Sequence, residues 1–216
     1  GFRTQDSYLA YTAMLAAFTY FGAHLWERFL LRIEEGHEWE HHAIASIPYL
    51  AGTLLLSTLA SQIIPAPFFP LAESALGALL LLVGLIAHYP AVKASGVMAI
   101  GIGSAAMLGT LGNDAATPVH AGWFYLVLLG TLSACAFSER LLAVLQHQER
   151  TPSRFEDFLR TLLVGLAAIL GIFGLAAAPH PAYLSLYWLA LGISAMVLSW
   201  WFRESRYRWA ALLIFS

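Results

Sequence analysis

Within the stretch RIEEGHEWEHHAI, Arg32 to Ile44, residues His37, Glu38 and His41 stand in the order H-E-x-x-H. Positions four apart share one face of an α-helix, so both imidazoles could reach a single zinc ion. Glu38 could take a proton from a metal-bound water, the chemistry of metal-assisted peptide hydrolysis. Such a site needs a third protein ligand and an open coordination position. Glu139, His147, Glu149 and Glu156 could supply the ligand, and none of them sits in a third-ligand motif.

These five residues resemble the signature of zinc metallopeptidases, and their surroundings depart from it. Glu40 stands where such helices usually carry an uncharged residue, and Glu34 where a small or apolar one is usual. Gly36, directly before His37, weakens the helix on which the spacing depends. The competing reading is a hydrated acidic segment beside a membrane, where a density of Glu and His spells the motif.

Two further histidines, His24 and His88, lie near the ends of apolar segments at matched depth. Facing each other, they could clamp a haem iron. Alternatively each snorkels to the headgroups, with His24 pairing to Glu27 or Arg28. Carboxyl groups are scarce in the apolar segments. Glu73 falls in the first turn after Pro70, where the helix dipole favours an anion, and Asp114 falls in a turn. Ion-coupled transport therefore has little to work with, and a path for lipid or another neutral solute stays open. Thr53, Ser57 and Ser61 recur every four residues as a polar stripe that either lines a path or bonds between helices.

The elements that must position these groups are membrane helices. Of 216 residues, 59% are hydrophobic and only 11% charged, with mean hydropathy +0.69. A soluble domain carries about 25% charged residues. Seven apolar segments reach spanning length, at 8–26, 43–64, 71–89, 94–112, 121–138, 158–178 and 183–202, and an eighth opens at Trp209. The expected fold is all-α, a polytopic transmembrane bundle of seven full spans plus a truncated eighth. The run cut at Ser216 and the missing initiator Met suggest a piece of something longer. Net charge is −2, which gives nucleic acid no basic surface to meet. The lone Cys135 excludes an internal disulfide, and no glycine-rich phosphate loop is present.

Trp26, Tyr89, Trp123, Tyr183, Trp200 and Trp201 mark segment ends, as aromatic rings do at headgroup level. With seven spans, one side collects Arg28, Arg32, Lys93, Arg140, Arg150, Arg154, Arg160, Arg203, Arg206 and Arg208, and the other only Arg3. That asymmetry predicts an inner (plasma) membrane protein with its basic loops cytoplasmic and its N-terminal end exoplasmic.

Similar elements recur at nearly constant spacing. Glu27 to Leu31 (ERFLL) matches Glu139 to Ala143 (ERLLA) 112 residues later. Pro65 and Pro67 match Pro179 and Pro181 at 114, and Lys93 matches Arg208 at 115. The spacing predicts a tandem repeat of four helices, units 1–112 and 113–216, in parallel orientation. In copy two, Ser153 and Glu156 form a capping box, and nothing there matches the histidine-rich segment. Small residues at i, i+4 predict packing faces, Gly101, Ala105 and Gly109 on span 4 and Ala167 with Gly171 on span 6.

The alternation of apolar span and basic, Trp-bearing elbow, clearest in Trp200 to Leu213 (WWFRESRYRWAALL), resembles large bacterial families of predicted polytopic membrane proteins of unknown function, built from serial helix pairs. The resemblance implies a helical membrane protein and transfers no catalytic residue. The leading expectation is a non-enzymatic subunit or segment of a larger membrane assembly, with the lipid bilayer and other membrane subunits as partners. A carrier for lipid or neutral solute and a cytoplasm-facing zinc metallopeptidase are the alternatives.

Overall fold

A computed structural model describes residues 2–30, 38–114, 126–136, 138, 154–176 and 183–215. The described residues form eight helices and no strand: α1 Phe2–Leu30, α2 Glu38–Ile63, α3 Phe69–Ile86, α4 Pro90–Asp114, α5 Leu126–Ala136, α6 Arg154–Ala176, α7 Leu184–Phe202 and α8 Ser205–Phe215. Five of these, α2, α3, α4, α6 and α7, are both long and apolar enough to cross a membrane. This is a multi-pass membrane protein. Among the described residues, five of the expected seven spans meet that measure. α1 has the length, at 29 residues, but Tyr8, Tyr11, Thr12, Thr19, Tyr20 and His24 lower its hydropathy. α5 and α8 are described over shorter stretches. Arg140, Ser153, Pro179 and Pro181 lie outside the described residues.

Proline and backbone geometry set the helix ends. Pro70 opens α3 and Pro90 opens α4, where a missing N–H costs nothing. The α2–α3 turn closes on the Pro65 carbonyl, which accepts from the Phe68 and Phe69 amides at 2.9 and 3.2 Å. The α3–α4 elbow turns on His88, at φ 58°, and the Tyr89 amide donates back to the Gly84 carbonyl at 2.9 Å. The α7–α8 elbow turns on Arg203, at φ 55°, and the Glu204 amide donates to the Ser199 carbonyl at 3.2 Å. Both close with the same six-to-one hydrogen bond over a left-handed residue. Among the described residues these are the two non-glycine positions with positive φ.

α4 is the central element. Its hairpin with α3 is the closest crossing, and α2 and α6 pack on its other sides. Leu81, Leu85, Val97, Ile100, Phe155, Leu159 and Leu163 join α3, α4 and α6 in the main core. α1 rests on α2, where Ala23 and Tyr49 meet Ala91 of α4. α7 and α8 pair on the other flank through Ala195, Ala211 and Ile214 and meet the rest through α6. Much of α7 faces outward, with Leu186, Leu189, Ile193, Trp200 and Trp201 exposed.

Candidate functional site

The α3–α4 hairpin is close because glycines line it. A Cβ on Gly77 would stand 2.6 Å from the Ile100 nitrogen, and one on Gly96 2.5 Å from the Leu81 nitrogen. Gly84 meets Lys93, and Gly103 meets Ser74 and the Pro70 carbonyl, at similar distances. This seam presses the second turn of α3 into the bundle. Glu73, expected in the first turn and stabilised by the helix dipole, instead lies just beyond it and is 1% exposed. Bonding to a neighbouring helix replaces the dipole as its support.

Ser57 of α2 donates a hydrogen bond to Glu73 Oε1. Glu73 Oε2 is buried and has no hydrogen-bond partner among the described residues. One turn along α2, Thr53 is fully buried and shares a hydrogen bond of 2.8 Å with the Tyr20 hydroxyl of α1. Thr53 also donates to the Tyr49 carbonyl at 2.9 Å. Gly52 makes the seat for the Tyr20 ring, since a Cβ there would stand 2.7 Å from two ring carbons. Two members of the predicted polar stripe thus bond between helices, while Ser61 is exposed and turns to the Thr58 carbonyl at 2.8 Å. The arrangement gathers a carboxyl and three hydroxyls in apolar surroundings, groups that can bind and pass protons.

A second polar cluster joins α4, α6 and α8. Lys93 and Glu156 form a largely buried ion pair, with side chains 5% and 18% exposed. Asp157 accepts from Arg206 at 2.7 Å and lies 3.8 Å from Arg160. Arg208 donates to the Ser199 hydroxyl at 3.2 Å.

Other predicted residues are scattered. His24 is half-buried with its ring centroid 6.0 Å from that of Tyr89, while His88 is exposed at the elbow. His37 lies outside the described residues, as do the side chains of Glu38 and His41, whose backbone forms the first turn of α2. Among the described residues no three His, Cys, Asp or Glu side chains gather closely enough to hold a metal. α4 packs through Gly96 and Gly103 rather than the Gly101, Ala105 and Gly109 face. Among the described residues, Ala105 is exposed, Gly109 has nothing within 4 Å of a Cβ, and Gly101 sees only Leu166 at 3.8 Å. On α6, Ala167 is buried and Gly171 abuts Leu191 of α7.

Comparison with family models, curated proteins and solved structures finds no match. Any functional reading of this chain rests on its own residues.

Sequence reasoning overlooked the Lys93–Glu156 pair and the hairpin glycines. A signal for the glycines was present. Gly77 and Gly84 on α3, and Gly96 and Gly103 on α4, each recur at seven residues, two turns on one face.

Proposed function

We propose that this chain is a non-enzymatic membrane bundle of two four-helix units, 1–112 and 113–216, serving as a subunit or segment of a larger membrane assembly. Its elbows support the two-unit reading. His88 and Arg203 are 115 residues apart, as are the carbonyls of Gly84 and Ser199 that close the two turns. Gly77 faces Ile100 across the first hairpin, and Gly192 faces Phe215 across the second, again at that spacing. In each unit the second helix packs on the fourth and the third pairs with the fourth.

The outer face of α1 carries the assembly reading. α1 is held by α2 and exposes Tyr8, Tyr11, Met14, Phe18, Phe21 and Leu25. From Tyr11 onward these recur at alternating steps of three and four, the spacing of a helix–helix seam. Tyrosine hydroxyls are poorly served by lipid tails and well served by a protein neighbour. A photo-cross-linking residue at Phe18, activated in native membranes, is expected to give adducts with another polypeptide. Adducts with lipid alone would refute the assembly role.

One observation favours a lipid carrier as the second reading. Ala75, Ala78 and Leu82 of α3 and Gly130, Ser133 and Ala134 of α5 bound an apolar groove of about 500 Å³. Its walls suit an acyl chain. Under this reading a lipid co-purifies with the protein and is displaced in Gly130→Trp. Equal lipid content in both would dismiss it.

A further inference from the structure

Glu73, Ser57, Thr53, Tyr20 and His24 form a line of proton-bearing groups running lengthwise through α1, α2 and α3. Thr53 and Ser57 are four residues apart on α2, and Tyr20 and His24 four apart on α1, so each pair shares a face about 6 Å apart along the axis. Two hydrogen bonds cross between helices, Ser57 to Glu73 and Tyr20 with Thr53 at 2.8 Å. At one end Ser61, a further turn along α2, is exposed near the α2–α3 turn. At the other, His24 sits beside Tyr89, the neighbour of the exposed His88, at the α3–α4 elbow. The line therefore reaches from one end of the bundle to the other.

Glu73 is more than a bonding partner for Ser57. Joining two helices requires one acceptor, and an amide of the same shape would serve. A carboxyl leaves Oε2 buried without a partner, which costs free energy in an apolar site. The helices packed on α3 bring it no counter-charge among the described side chains. On α4 the charged side chain is Lys93, at the elbow end and engaged with Glu156, and on α2 it is the exposed Glu40. A costly, uncompensated ionisable group inside a membrane bundle marks a functional position.

We propose that this line is a proton relay in which Glu73 is the group that stores the proton. A proton arriving on the neutral imidazole of His24 forms an N–H bond, and the ring passes one proton to the Tyr20 oxygen. Thr53 turns its proton from the Tyr49 carbonyl toward Ser57, and each hydroxyl accepts a proton on a lone pair while releasing the one it held to the next oxygen of the line. One bond to hydrogen forms for each that breaks, no electrons transfer, and the last proton binds a carboxylate oxygen of Glu73. Release to Ser61 and the adjoining surface resets the carboxylate. The one-turn gaps between groups on the same helix, about 6 Å along its axis, are bridged in this proposal by water.

The test uses the full chain reconstituted in vesicles that enclose a pH-sensitive dye, with a potassium diffusion potential as driving force. Proton entry is expected to exceed that of protein-free vesicles. Glu73→Gln and Tyr20→Phe should each lower the protein-dependent rate by about tenfold or more, equivalent to about 1.4 kcal/mol of barrier. Thr58→Val removes an exposed hydroxyl of α2 that is off the line and should leave the rate unchanged. Circular dichroism and detergent melting establish that each variant folds. Should Glu73→Gln fail to fold, Tyr20→Phe and Thr53→Val carry the test. Wild-type entry equal to that of protein-free vesicles overturns the proposal. So do folded variants of the line that conduct at the wild-type rate.

Discussion

Gly77→Ala probes the closest helix crossing with the smallest possible change. The new Cβ would stand 2.6 Å from the Ile100 nitrogen and 2.7 Å from both the Gly96 oxygen and Ile100 Cγ1. Two of these are backbone atoms, so no rotamer change clears them. Ordinary contact lies at about 3.5–4.0 Å, so the helices must part by roughly 1 Å, and a gap of that size forfeits a quarter to a half of the contact energy. We expect a cost of about 1–3 kcal/mol, net of the favourable helix propensity of alanine. Gly109→Ala meets nothing within 4 Å and should be neutral or slightly stabilising. Gly192→Ala occupies the matched position in the second hairpin, but its three nearest atoms all belong to the Phe215 ring, with Cζ at 2.3 Å. That ring can swing aside, so its cost should be the smaller of the two. Reversible unfolding in mixed detergent micelles ranks the three. Equal stability of Gly77→Ala and Gly109→Ala would refute the reasoning.

The Lys93–Glu156 pair predicts an asymmetry: Lys93→Met alone should cost about 3 kcal/mol by taking the ammonium from a largely buried carboxylate, and adding Glu156→Leu should recover part of it. The same unfolding assay reads both, and additive losses would contradict the pairing. Asp157→Asn should cost at most about 1 kcal/mol and matter less in high salt, because Asp157 is half exposed. Metal analysis and an absorbance spectrum of the purified protein test both cofactor motifs. The assembly reading expects neither stoichiometric zinc nor haem; one zinc lost in His41→Ala, or a haem band lost in His24→Ala, would replace it.

Much of the helical layout was legible in the sequence. Apolar run length located α2, α3, α4, α6 and α7 within a few residues, because spanning hydrocarbon demands length and little else. Facing was far less legible. α4 is apolar around its whole circumference, so spacing suggested small faces without indicating which one turns inward. The structure uses Gly96 and Gly103, and leaves Ala105 and Gly109 outside. Glu73 was visible as a carboxyl near a helix start, but its burial depends on a hairpin seam formed by residues up to thirty positions away. The partner of Lys93 is likewise set by tertiary packing of α4 on α6, which no local pattern encodes.

Lys93 and Glu156 are separated by 63 residues of chain, and that distance has a consequence for biogenesis. At about 5–20 residues per second, Glu156 leaves the ribosome roughly 3–13 s after Lys93. During that interval α4 carries an ammonium group into the bilayer with its counter-ion not yet made. The side chain must snorkel to the headgroups, which holds the elbow end of α4 away from the depth it reaches in the finished bundle. Arrival of α6 releases it. Until then the Lys93 ammonium lacks the Glu156 carboxylate that pairs with it in the finished bundle.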